Sequence, residues 1–334
     1  MSSVRAVPVL GGLVLTAGLV VTLTGCGSDP GAAGDTGGAI AVVASTDVWG
    51  SVAARVGGDA VAVESLVDNS SGDPHAQPDR PSDMVAVADA DVVVYNGGGY
   101  DEFFSKLVDS SGADVPSVNA FELSGHADEA AHEEEDGHAG ETDDHGQDQD
   151  QGHGHDHGAV NEHVWYDLPT VSTVADALAE RFSAIAPDQR DEFTANAEAL
   201  TADLDALLVK VADIGKANPG AKVLATEPVA YYLLEAAGLT DATPPEFSEA
   251  IEEETDPPLA VVAETTELLD RRQVAALVNN AQTETPVTNS LTDAATSADI
   301  PVVNVTETLP DGVTDYVEWM TSTVDALAGA FDKS

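Results

Sequence analysis

Seven apolar residues, Phe193, Ala197, Leu200, Leu204, Leu207, Val211 and Ile214, recur at alternating steps of four and three. That spacing keeps returning to one side of a 3.6-residue helix, so it predicts a single unbroken amphipathic helix. From about Asp188 to Ile214 such a helix would extend ~40 Å at 1.5 Å per residue, the width of a domain. It either packs along one lobe or joins two as a stiff strut. What flanks it favours the strut, because strands and helices alternate on both sides.

On the N-terminal side the expected elements are a strand at Ile40–Ala44, a helix through Val48, Trp49, Val52 and Val56 with Ser45, Thr46 and Asp47 offering N-cap chemistry, and a strand at Val61–Val67. A helix opened by Pro81, a buried strand at Asp91–Tyr95, a helix at Asp101–Val108 and a strand at Val115–Val118 follow. Pro169 opens a further helix, which Pro187 breaks. Beyond the strut come a strand at Lys222–Ala225, a helix at Pro228–Ala237, a loop PPEFSEAIEEETDPP and a helix at Pro258–Leu269. Then come a strand at Val274–Val278, a helix at Thr285–Ala295, a strand at Ile300–Val305 and a last helix carrying Tyr316, Met320, Val324, Leu327 and Phe331. Strands alternating with helices argue α/β architecture: two lobes, each a mostly parallel sheet flanked by helices, joined by one long rigid helix. The 334 residues suffice for about two domains of ~150 residues each.

The N-terminus reads as a targeting segment. Arg5 precedes the apolar run VPVLGGLVLTAGLVVTLTG, which ends at the only cysteine, Cys26. Leu23-Thr24-Gly25-Cys26 resembles a bacterial lipobox, in which the signal peptide is cut before a cysteine that carries lipid. A lone cysteine in an exported chain has no internal disulfide partner, which suits that role. The resulting division is a signal peptide at 1–25, a flexible tether at 26–38, an N-terminal lobe at 39–168, linking helices at 169–216 and a C-terminal lobe at 217–334. The body would be a monomer anchored by lipid to the outer face of the cell membrane. A net charge of −48 repels nucleic acid and attracts cations, and it equally serves solubility or salt tolerance.

Inside the first lobe, residues 126–158 read HADEAAHEEEDGHAGETDDHGQDQDQGHGHDHG and hold seven of the nine histidines. Such a polar stretch has no face to bury and is expected to be a disordered loop. Its histidines, His126, His132, His138, His145, His153, His155 and His157, form an auxiliary metal-collecting set. The alternating run at His153, His155 and His157 is an imidazole donor set suited to zinc, nickel or copper.

Ligands of open parallel sheets bind just past the carboxyl ends of the strands. Four metal-ligating side chains fall at such places: His75 after the strand ending at Val67, His163 before the strut region, Glu227 after Ala225 and Glu307 after Val305. Each alone has an ordinary reading. His75 suits an exposed loop, His163 packing beside Trp165, Glu227 a helix N-terminus favoured by the dipole, and Glu307 a solvated loop.

GDPHAQPDRPSDM resembles the DPHxYEPTPxD stretch of the zinc and manganese (cluster 9) metal-binding solute receptors of ABC importers. VVASTDVWG, ADADVVVYNGGGYDEFF, NEHVWYDLP, TEPVAYYLLEAAGL and VTETLP match further segments of that family in order. The resemblance implies two α/β lobes, one connecting helix and a single inter-lobe site with His75, His163, Glu227 and Glu307 as ligands. It also implies a membrane permease as partner and no enzymatic activity. Departures from the pattern bear on the ion. Glu227 stands where zinc receptors often carry His, Glu307 where Asp is usual, and Gln77-Pro78 replaces the Tyr-Glu-Pro that follows the first ligand.

Two imidazoles and two carboxylates suit four-coordinate Zn2+, and bidentate carboxylates would suit Mn2+. His-rich loops accompany the zinc receptors of that family, so zinc is the favoured cargo and manganese the alternative. A surface metal-storage or adhesin lipoprotein is the other reading left open. The sequence holds no HExxH, and a closed four-ligand set leaves no position for catalytic water.

Overall fold

The computed structural model describes residues 38–68, 80–112, 114–127, 161–253 and 255–332. Cys26, His75 and the loop histidines His132, His138, His145, His153, His155 and His157 therefore lie outside the described residues. Ala39–Ser334 forms one compact unit.

The first sheet contains β1 (Ile40–Thr46), β2 (Val61–Val67), β3 (Val92–Tyr95) and β4 (Ser117–Asn119), in the order β2-β1-β3-β4, all parallel. Its helices are α1 (Asp47–Gly57), α2 (Pro81–Asp89), α3 (Glu102–Ser111) and α4 (Ala120–Ser124). Two linking helices follow, α5 (Leu168–Ile185) and α6 (Arg190–Ala217). The second sheet repeats the arrangement with β5 (Lys222–Ala225), β6 (Thr240–Asp241), β7 (Ala276–Asn280) and β8 (Val302–Val305) in the order β6-β5-β7-β8. Around it lie α7 (Tyr231–Ala236), α8 (Pro245–Glu252), α9 (Leu259–Asp270), α10 (Pro286–Ser297) and α11 (Tyr316–Phe331).

Parallel strands covered on both faces must be apolar on both, and the central strands β1, β3 and β5 are largely so. In β1, Ile40, Val42 and Ala44 enter one core while Val43 packs against Val87, Phe104 and Leu107 on the opposite face. In the second sheet Val223 and Ala225 face the first core, whereas Leu224 and Leu277 pack on Phe247, Ile251 and Leu291. The first core is continuous: it runs from β1 and α1 through α5 and α6 to β5, β8 and α11.

Helix α6 is the predicted strut, 28 residues long, or about 42 Å. Its buried residues are the seven of the four-three stripe. The Phe182 and Phe193 rings meet edge to face across the α5–α6 turn, with centroids 5.6 Å apart. At the far end Gly215 lets the last turn approach α7, since a Cβ there would fall 1.8 Å from the Ala237 carbonyl oxygen. Helix α11 begins against α1 of the first lobe and runs alongside α6. Ser51 of α1 donates to the Thr314 carbonyl and accepts the Tyr316 N–H. Arg55 pairs with Asp203 of α6 and with Asp315 at the start of α11. These half-exposed pairs add orientation more than energy.

Several expectations are corrected. The segment PPEFSEAIEEETDPP is not all loop; Pro245–Glu252 is helical, anchored by Phe247 and Ile251 four residues apart. Two apolar residues in an acidic run are too few to show a period. Helix α4, capped by Asn119 Oδ1 on the Glu122 N–H, and the two-residue strand β6 are too short to read from pattern. β7 starts two residues later than expected and ends on the polar pair Asn279-Asn280. Thr46 occupies the N-cap of α1 without a side-chain cap bond, because it is still the last, buried residue of β1.

Replacing Leu204 with Ala should destabilise the protein by about 2–5 kcal/mol, since it opens a cavity in the shared core. Val209→Ala, at a 61 % exposed position on the same helix, should shift stability by less than about 0.5 kcal/mol. Gly215→Ala should be destabilising although alanine is the better helix former. Urea unfolding of the three variants checks all three.

Candidate metal site

The carboxyl ends of both sheets carry the groups of interest. Glu227 follows β5 and stands just ahead of a 3-10 turn at Pro228–Ala230, whose proline ring fixes the first helical residue. Glu307 follows β8. Both are buried, and one amide joins them: Asn280 Nδ2, at the end of β7, donates to Glu227 Oε2 at 2.7 Å and to Glu307 Oε1 at 2.8 Å. Thr283 Oγ1 donates to Glu227 Oε1, and the Tyr100 hydroxyl donates to Glu307 Oε2 at 3.1 Å. Every oxygen of the two carboxylates thus accepts a hydrogen bond from an uncharged donor.

The Asn280 amide is itself held. Asn280 N–H donates to Thr226 Oγ1, and Asn280 Oδ1 accepts the Gln282 N–H. Gln282 Oε1 accepts the N–H groups of Glu307 and Thr308, fixing the loop that carries Glu307. From the first lobe, Asp47 Oδ1 accepts the Leu309 N–H and the Tyr166 hydroxyl donates to the Thr306 carbonyl. Burial raises the pKa of Tyr166, so its hydroxyl stays a neutral donor.

Tyr100 is placed by the turn after β3. Gly97, Gly98 and Gly99 have φ of 77°, 68° and 102°, a conformation that side chains rarely tolerate. The buried Asp101 carboxylate accepts the N–H groups of Asn96 and Gly97 and closes the turn. Burial is the main cause raising its pKa, and those two bonds oppose the rise.

His163 is buried beside Tyr100 and Trp165, with ring centroids 5.9 and 5.1 Å away. Its Nδ1 lies 3.0 Å from Asn161 Oδ1. Asn161 uses its Nδ2 on the Pro228 carbonyl, so Oδ1 is the atom facing the imidazole and can only accept. The proton therefore sits on Nδ1, leaving Nε2 to take a cation or a second proton. Nε2 points to Glu252 Oε1, 3.5 Å away on α8.

The structure thus joins Glu227 to Glu307 directly through Asn280 and links His163 to Glu307 through Tyr100. His75 lies outside the described residues. Among the described residues no three His, Cys, Asp or Glu side chains gather closely enough to hold a metal ion by themselves. His126, the one described histidine of the His-rich segment, stacks on Tyr232 at 4.5 Å and places Nε2 3.4 Å from Asp167 Oδ2. The Tyr232 hydroxyl in turn donates to the Asn161 carbonyl.

Sequence reasoning missed Asn280, Thr283, Tyr100, Asn161 and Glu252. A signal existed for Asn280, a polar residue ending an apolar strand where ligands of parallel sheets bind. Glu252 had none, being one acid among several on a segment read as loop.

A family profile described as zinc-uptake complex component A, periplasmic, matches residues 42–330. The manganese-binding lipoprotein MntA of Halalkalibacterium halodurans is 25 % identical over 189 residues, covering 57 % of this chain and 54 % of that protein. The chain thus spans about half the length of that curated relative. Among solved structures, the periplasmic zinc-binding protein TroA from Treponema pallidum superposes with a TM-score of 0.65 at 18 % identity, over 88 % of this chain and 99 % of the other. FpvC from Pseudomonas aeruginosa, solved in complex with Mn2+, gives 0.64 at 18 % identity, over 89 % and 99 %. At that identity the two structures speak for the fold. The family match covers nearly all of the two-lobed body, and the chain belongs to the zinc-uptake component A family of periplasmic metal-binding solute receptors, which are not enzymes.

Proposed function

We propose that the chain is the extracytoplasmic receptor of an ABC importer, capturing zinc between its lobes and delivering it to a membrane permease. The observation that carries this reading is the Asn280 amide bridging Glu227 and Glu307. Two buried acids are kept side by side at the carboxyl ends of parallel strands, where their mutual repulsion is relieved best by a divalent cation. His163, with its proton held on Nδ1, offers Nε2 as a third donor. His75 is the fourth in this proposal. A set of two imidazoles and two carboxylates suits zinc at tetrahedral coordination.

The same reading gives the rest of the chain its roles. Cys26 carries the lipid that holds a monomeric receptor at the outer face of the cell membrane. Residues 1–25 are removed, 26–38 tether the body, and 39–168, 169–216 and 217–334 form the first lobe, the linking helices and the second lobe. Among the described residues no helix is long and apolar enough to cross a membrane. His126, His132, His138, His145, His153, His155 and His157 serve as an auxiliary metal-collecting set. Manganese is the second reading, favoured by Glu227 as a second carboxylate and by the manganese-binding relative.

Metal analysis of protein purified without chelator, followed by zinc and manganese titration, tests the proposal. His163→Ala and Glu307→Ala should each weaken zinc binding by more than about a hundredfold, beyond the loss typical of removing an outer partner. Retention of affinity in both would overturn the site.

Deleting residues 126–158 separates a receptor from a storage protein. The deleted protein should keep one tight site. Zinc at about 100 times its dissociation constant should then stabilise it by ~2.7 kcal/mol, read as a rise in melting temperature. Loss of that rise would favour storage.

A further inference from the structure

We propose that Asn161 is a positioning residue: it keeps a proton on Nδ1 of His163, so that Nε2 is the nitrogen surrendered to an incoming cation, and it does so from an anchorage on the second lobe. This role rests on the reading of His163 as an ion ligand and deepens it by naming what prepares that ligand.

An asparagine side chain can turn either its oxygen or its NH2 group to a neighbour, and only partners of fixed character decide between them. Asn161 has two such partners. The His163 backbone N–H, which can only donate, meets Oδ1 at 2.8 Å, the arrangement in which an Asn side chain bonds the main chain two residues on. The Pro228 carbonyl, which can only accept, meets Nδ2 at 2.8 Å. Both partners demand the same orientation, so the atom 3.0 Å from His163 Nδ1 is an acceptor and the ring brings a proton to it. Reversing the amide would set N–H against N–H on one side and oxygen against oxygen on the other.

The anchorage belongs to the lobe that carries Glu227. Pro228 directly follows Glu227, and the Tyr232 hydroxyl, from α7, donates to the Asn161 carbonyl at 2.6 Å. The first lobe holds the next residue, through Asn96 Nδ2 donating to the Glu162 carbonyl at 2.8 Å. The stretch Asn161–His163 is thus pinned at its start to one lobe and at its middle to the other. On the far side of the ring, Nε2 lies 3.5 Å from Glu252 Oε1, a longer contact than the one to Asn161. The bond made by one ring nitrogen decides which nitrogen a metal takes. With Asn161 in place a proton stays on Nδ1; without it, Glu252 would draw the ring proton to Nε2, where a cation would have to displace it.

The test records the ring-nitrogen NMR shifts of His163 in the metal-free protein at about pH 8, where an ordinary imidazole is neutral, assigned by their loss in His163→Ala. Zn2+ dissociation constants by chelator competition, and urea unfolding, are measured alongside in the wild type, Asn161→Ala, Asn161→Asp and His163→Ala. The wild type should show a proton on Nδ1; a proton on Nε2 alone overturns the proposal before any variant is made. Asn161→Ala should move that proton to Nε2 and weaken the tight zinc site about 10–100-fold, as loss of an outer partner does. Asn161→Asp gives up the bond to Pro228 but offers an acceptor whichever way it turns. It should keep the proton on Nδ1 and bind zinc within about tenfold of the wild type, even if the alanine variant folds poorly. A merely structural role would leave the ring signals in place and penalise both variants alike, since both lose Pro228. That result, in a protein whose tight zinc site is weakened by His163→Ala, overturns this proposal alone. Zinc binding indifferent to His163→Ala overturns the ligand reading and this proposal with it.

Discussion

Two buried carboxylates side by side repel one another, and a protein can keep them so only by surrounding them with donors. Here the donors are neutral: an asparagine amide, a threonine hydroxyl and a tyrosine hydroxyl. Neutral donors of this kind lower the cost of holding two acids side by side out of water. The rest of the molecule can be understood as what is needed to bring these groups, from loops distant in sequence, to one point.

The sheets supply that convergence. Because β5, β7 and β8 are parallel neighbours, the residues leaving their carboxyl ends emerge together, and Glu227, Asn280 and Glu307 are those residues. The first lobe reaches across with Tyr100, Asp47 and Tyr166, each bonding the loop that carries Glu307 or the acid itself. His163 arrives from a third direction, after the His-rich segment, with its orientation set by Asn161. None of these contacts depends on a charged pair exposed to salt.

Much of this was legible beforehand, for definite reasons. The strut was readable because seven core residues keep one helical phase over its length, and the structure buries those seven. The central strands were readable because two-sided burial makes them largely apolar. Glu227 and Glu307 were expected just past the carboxyl ends of two strands, and the structure places both there. What escaped has reasons too. Helix α8 hides in an acidic run, so Glu252 could not be seen opposite His163. Asn280 has no periodic signature, since its role depends on which way one amide faces. That is settled by a backbone N–H two residues later and not by composition.

The core that begins at β1 and ends at α11 passes through both lobes without interruption. Prying the lobes apart would wet leucines and valines on either side of α6, an expense that rises with every degree of opening. The two lobes therefore share one packed floor, and a cavity opened in it weakens both at once.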